Sequence, residues 1–134
     1  MRMKENPPPS GRAAADTRRR TGTIGEEAAA RYLQEKGYTL LQRNWRCRSG
    51  ELDLIAEQDG CLVIVEVRTR KPSARFGSPQ ESVDGRKQLQ VRRTAEVYLH
   101  QNRRSDSRIR FDVIAVRLDG QGMIQSLEHY PHAF

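Results

Sequence analysis

A mixed α/β fold, with elements in the order αβββαβ and helices flanking the sheet, is what this sequence predicts, and three observations carry the prediction. Asp59-Gly60 separates two runs that alternate apolar and polar residues, a strong short-range sign of a β-hairpin. One stretch with helical spacing of apolar residues precedes that hairpin and another follows it. A further strand-like run comes after the second helix, and a helix standing between the third and fourth strands implies a mixed sheet.

Taken in order, residues 1–22 hold Pro7-Pro8-Pro9 and Arg18-Arg19-Arg20, with no apolar side chains beyond alanines and two methionines. They cannot offset their own ordering entropy, so a disordered basic tail is expected, with 23–134 as the folded domain. Thr23-Ile24-Gly25-Glu26 has the spacing of a capping box. Ala28, Ala29, Tyr32 and Leu33 then recur at helical intervals until Gly37 supplies a stop. Strands are expected over 39–45, 51–57 and 61–69. Residues 70–82, with Pro72, Gly77 and Pro79, read as a surface loop. A second helix runs from near Asp84 to His100, burying Leu89, Ala95, Tyr98 and Leu99 and exposing Arg86, Lys87, Arg92 and Arg93. Residues 108–118 form the fourth long strand, and 123–130 are a further candidate as an edge strand.

The 134 residues are 36% apolar, enough for one modest core and not for two. Basic residues number 24 against 17 acidic, a net charge of +7 that points first to an anionic partner. The tail holds six of the basic and two of the acidic groups, so most of the excess lies outside the domain. Within the domain the charge is segregated: residues 26–66 carry five basic and eight acidic groups, and 68–110 carry twelve and four. No apolar run approaches the roughly 18 residues of a membrane span. Met1-Arg2-Met3-Lys4 is followed by Glu5-Asn6-Pro7, not by a secretory apolar stretch, so a cytoplasmic protein is expected. Cys47 and Cys61 read as ordinary thiols, and His100, His129 and His132 as surface residues. There is no Walker A loop, no GxSxG elbow and no zinc-type Cys/His cluster, which removes nucleoside triphosphatase, serine hydrolase and zinc-finger readings.

The hairpin carries the chemistry. With a two-residue turn at Asp59-Gly60, Gln58 opposes Cys61, Asp53 opposes Glu66 and Glu51 opposes Arg68. Leu52, Leu54 and Ala56 then share the other face with Val63, Val65 and Val67. Two opposed carboxylates repel, so something must make the arrangement tolerable. Either a divalent cation such as Mg²⁺ is held by Asp53 and Glu66, or Arg68 or Arg46 neutralises one of them. Other side chains have plainer uses. Glu26 closes the capping box or serves a metal, Trp45 packs, Asp112 partners a nearby arginine, and Glu51 pairs with Arg68 or Arg70.

Gly25-Glu26-Glu27-Ala28, Arg43-Asn44-Trp45-Arg46, Gly50-Glu51-Leu52-Asp53-Leu54-Ile55, Val65-Glu66-Val67-Arg68-Thr69-Arg70, Phe76-Gly77-Ser78-Pro79, Arg110-Phe111-Asp112-Val113 and Ala133-Phe134 together resemble the YraN-like family of bacterial proteins. The resemblance covers about residues 22–134, with the blocks in order. It implies a restriction-endonuclease-like fold, similar to archaeal Holliday-junction resolvases, with a PD-(D/E)xK type of site. On that pattern Asp53 is the metal-binding acid, Glu66 the second acid, Glu26 the acid of the first helix and Arg68 the position normally held by lysine.

The implied activity is Mg²⁺- or Mn²⁺-dependent hydrolysis of a phosphodiester in duplex or branched DNA, or in structured RNA. Asp53, Glu66 and the Val67 carbonyl would hold the metal, and Glu26 a water or second ion. Arg68 would bind the scissile phosphate, with Arg46, Arg70, Lys71, Arg86 and Lys87 contacting the backbone. The departure at Arg68 matters because a guanidinium does not lose its proton at workable pH. Lys71 and Lys87 are candidates to replace the lysine, though no sequence signal places either amine near Asp53. The alternatives are a catalytically inactive binding or partner module on the same scaffold and a purely structural domain. The likeness to resolvases, which are dimers, makes a homodimer one candidate assembly, although the sequence shows no obvious apolar patch beyond what the core needs.

Overall fold

The computed structural model describes residues 11–72 and 83–134, without the side chains of 11–16. Its elements are α1 (Gly11–Glu35), β1 (Thr39–Cys47), β2 (Gly50–Gln58), β3 (Cys61–Arg70), α2 (Gly85–Gln101), β4 (Arg108–Leu118) and β5 (Ile124–Tyr130). The five strands form one sheet in chain order. β3 and β4 run parallel through the α2 crossover, and every other neighbouring pair is antiparallel. This is the αβββαβ order with β5 added at the edge. Most of the 70–82 loop, with the Phe76-Gly77-Ser78-Pro79 block, lies outside the described residues.

The β2–β3 turn behaves as its sequence demands. Asp59 and Gly60 both take left-handed backbone, at φ 51° and 76°, the primed geometry whose twist matches the flanking strands. Gln58 pairs with Cys61, and the same register continues to Leu54 and Val65. α1 ends in a Schellman motif: Tyr38 N–H donates to the Leu33 carbonyl (2.9 Å) and Gly37, at φ 91°, donates to Gln34 (3.1 Å).

Two apolar layers sandwich the sheet. On one face Ala29, Ala30 and Leu33 of α1 meet Leu54, Ala56, Val63, Val65, Ile114 and Val116. On the other, Val91, Ala95, Tyr98 and Leu99 of α2 meet Ile55, Leu62, Ile64 and Phe111. Trp45 packs edge-on against Tyr98 with ring centroids 5.2 Å apart, in the packing role expected of it.

Five expectations are corrected. α1 starts at Gly11, so residues 11–22 are helical. Thr23 is therefore inside a helix, where its hydroxyl bonds back to the Arg19 carbonyl at 2.9 Å, and there is no capping box for Glu26 to close. Leu52 joins Ile55 on the α2 face and not Leu54, because the alternation slips at Asp53. Leu89 is 49% exposed. The buried stripe of α2 runs through Val91, Thr94, Ala95 and Tyr98, and a position two residues before Val91 points away from it. His129 is no surface residue; its side chain is 7% exposed.

His129 belongs to a polar cluster around Asp112, which is fully buried. Arg110 donates to both Asp112 oxygens (2.9 and 2.8 Å), His129 Nε2 lies 2.7 Å from Oδ2, and the His132 N–H reaches Oδ1 at 3.1 Å. Burial alone would raise this carboxyl, but the hydrogen bonds from His129 and Arg110 outweigh it and hold the group below the ordinary value. A carboxylate depressed on folding stabilises above its unfolded pKa, and that contribution is lost as pH falls through the folded value. Asp112→Ala strands the Arg110 guanidinium, so the melting temperature should drop at pH 7 by the equivalent of about 3–5 kcal/mol. Thermal melts should show the gap to wild type closing in acid.

α1 crosses β3 closely at Gly25. A Cβ there would lie 1.7 Å from Thr69 Oγ1, so Gly25→Ala must push the helix off the strand. We expect a loss of about 1–3 kcal/mol in chemical denaturation, and an accompanying Thr69→Ala change should recover part of it.

Candidate functional site

The site forms where β2 and β3 part. Regular pairing stops at Leu54 and Val65, while β3 continues alongside β4 as far as Arg70 and Arg117. At the fork the side chains replace the ladder. Asp53 Oδ2 accepts the Val67 N–H at 2.8 Å, and the Asp53 N–H points to Glu66 Oε2 at 3.4 Å. On the β1 side Asn44 sits between two regular pairs at φ 49°, a left-handed conformation that asparagine tolerates. The forked strands thus hold the two carboxylates side by side, although the regular register ends one pair short of the expected Asp53–Glu66 pair, with Glu66 only 2% exposed.

One cation from outside the hairpin reaches this pair. Lys87 Nζ lies 3.6 Å from Glu66 Oε1, with its side chain 30% exposed. Asp84 caps α2 by accepting the Lys87 N–H at 2.9 Å, which fixes the first turn of the helix and aims the lysine inward. The sequence reading puts Lys87 among exposed nucleic-acid contacts; in the structure it faces the buried acid instead. The capping signal of Asp84 is legible in sequence, but the approach of α2 to β3 is a tertiary event.

Electrostatics follow from this burial. Desolvation raises the Asp53 carboxyl, and the Val67 N–H and Lys87 only partly oppose it. Glu66 is raised by desolvation and then by Asp53, against Lys87. Glu26, on α1, is raised to about 7 by burial and by the charges of Asp53 and Glu51, with Arg43 and Arg46 opposing. Three acids therefore hold protons more tightly than free carboxyls do.

These groups line an open cleft of about 790 Å³. Glu26, Asp53, Glu66, Val67 and Arg68 all border it, as do Arg46, Arg70, Lys71 and Lys87. Arg86 is exposed on α2 and is not among the lining residues. Arg46 is engaged at the rim, 2.9 Å from Glu51. This corrects the expected pairing of Glu51 with Arg68 or Arg70: Glu51 faces Arg46 across the β1–β2 ladder. Arg68 is left with a buried Nε that has no hydrogen-bond partner among the described residues. Arg18 and Arg19, which the sequence reading assigns to a solvated tail, also line the cleft, because α1 extends past Thr23.

Fold and cleft define an α/β protein with a mixed five-stranded sheet, carrying a buried pair of acids at the floor of a largely basic groove. Residues 25–116 match the Uncharacterised protein family UPF0102, and the chain belongs to that family. It is 51% identical over 118 residues to a UPF0102 protein of Moorella thermoacetica, covering 88% of this chain and 98% of the relative. A UPF0102 protein of Pelotomaculum thermopropionicum is 48% identical over 120 residues, covering 90% and 99%. No helix among the described residues is long and apolar enough to cross a membrane.

Proposed function

We propose that this protein is a metal-dependent hydrolase of nucleic-acid phosphodiesters. The observation that carries the reading is the burial of Asp53 beside Glu66 in a cleft otherwise rich in arginine. Lys87 and Arg68 both act on these acids, yet burial and their mutual repulsion still keep the two carboxyls raised. The αβββαβ order and the nuclease-like motif around the hairpin point the same way.

The donor set fits a hard divalent cation. Among the described residues no three His, Cys, Asp or Glu side chains gather around one point. Mg²⁺ is commonly held by one or two carboxylates, with waters and substrate phosphate oxygens completing the shell. Asp53 and Glu66 would supply the carboxylates. The Val67 carbonyl is a further candidate ligand, since a strand residue presents N–H and C=O to the same edge, and the Val67 N–H is turned toward Asp53. When bound, Mg²⁺ or Mn²⁺ supplies charge neutralisation and eases deprotonation of water.

The protein's own groups do the rest. Arg68 lines the cleft, where its guanidinium would donate to a phosphate oxygen, and its fixed charge favours the transition state in which that oxygen gains negative charge. Glu26, with its carboxyl near 7, can take the proton of the attacking water at neutral pH. Water adds to phosphorus, the bond to the leaving sugar oxygen breaks, and that oxygen acquires a proton. Lys87, paired with Glu66 at 3.6 Å, would take over the part of the lysine that Arg68 replaces.

The test is cleavage of labelled branched, duplex and single-stranded substrates with Mg²⁺ or Mn²⁺, abolished by Asp53→Ala. Binding without cleavage would favour the inactive module that Arg68 in the lysine position suggests. Because the acids must shed protons to receive a cation, Mn²⁺ affinity should rise steeply between pH 6 and 8 and binding should release protons into unbuffered solution. Affinity independent of pH across that range would contradict the site.

A further inference from the structure

The α1 residues ahead of Gly25 add a second wall to the cleft. Arg18 and Arg19 lie seven residues before Gly25 and Glu26 respectively, two helical turns and about 10 Å along the same helix face. That face is the one Gly25 presses onto Thr69, and both arginines line the groove together with Arg70 and Lys71 at the end of β3. Among the described residues neither Arg18 nor Arg19 has a carboxylate partner.

Resting on the hydrolase reading, we propose that the cleft takes one strand of nucleic acid, single-stranded or separated from its complement, and grips its phosphates from both sides without reading bases. Size favours one strand within the cleft: about 790 Å³ lies within the roughly 300–1,000 Å³ of clefts that enclose a small ligand. Chemistry argues for the backbone. The described lining holds no aromatic side chain on which a base could stack, while its guanidinium and ammonium groups come from α1, β1, β3 and α2.

Fluorescence anisotropy in EDTA, with labelled oligo-dT, oligo-dA and a blunt duplex of equal length over a series of salt concentrations, tests this. Both single strands should bind at least tenfold tighter than the duplex and about equally to one another. Arg18→Gln/Arg19→Gln should flatten the slope of log K against log salt by about 1.4, at about 0.7 for each single-strand phosphate no longer neutralised. Arg31→Gln, exposed on α1 outside the cleft, should leave the slope unchanged. An unaltered slope in the double variant, or duplex binding as tight as single-strand binding, overturns the proposal. Mn²⁺ titration and cleavage are read separately on the same proteins. A flattened slope with no cleavage under any metal sinks the hydrolase and leaves the clamp, whereas cleavage with an unaltered slope does the reverse.

Discussion

Asp53→Asn should make the metal-free protein more stable at pH 8, raising its melting temperature by on the order of 5 °C while abolishing Mn²⁺ binding and cleavage. Asp53 and Glu66 are both raised above their unfolded values, chiefly by burial, so folding takes up protons between the two values. Stability from this pair is therefore greatest in acid and is lost as pH rises through the folded values. Asparagine keeps an oxygen for the Val67 N–H and removes one of the two charges. The advantage should shrink toward zero near pH 4, where wild type holds both protons, and Mn²⁺ should raise the wild-type melting temperature alone. A variant less stable than wild type at pH 8 would mean that the pair is a stabilising ion network, and the metal site would fall with it.

Lys87→Met should lower the cleavage rate by roughly 10²–10⁴-fold, the usual range for loss of a positioned proton-transfer or charge-stabilising group. Among the described residues its Nζ is the amine that pairs with the buried acids, and it holds the proton affinity of both Asp53 and Glu66 down. Removing it should also move the pH midpoint of Mn²⁺ binding upward, because its charge no longer opposes protonation of the acids. Lys87→Arg should restore the midpoint, because the charge returns, but not the full rate, because a guanidinium cannot give up a proton. An unchanged rate and midpoint in Lys87→Met would return the duty to Arg68 or Lys71.

Much of the fold is written in short-range patterns. Asp59-Gly60 enforces a two-residue primed turn, and that turn sets the register as far as Leu54 and Val65, which leaves Asp53 and Glu66 at the next step along the two strands. Asp84 announces α2 and Gly37 ends α1, each through a cap that satisfies backbone groups locally. Patterns fail where the deciding contact is distant. Thr23 looks like the cap that starts α1, yet Arg18 and Arg19 continue the helix onto the cleft. Strict alternation groups Leu52 with Leu54, but the fork at Asp53 interrupts the alternation. His129 carries no sequence mark of burial; only the pairing of β4 with β5 brings it to Asp112.

What the sequence determined by itself is the order of elements along the chain, the tight turn and the register that leads up to the two acids, because turn geometry and period-two alternation act over a few residues. What the tertiary structure decided is which cations meet those acids. Lys87 arrives on a helix that crosses from β3 to β4, and Arg18 and Arg19 arrive on a helix pressed close at Gly25. Charge interactions depend on distance through space, and the packing of helices on the sheet sets that distance.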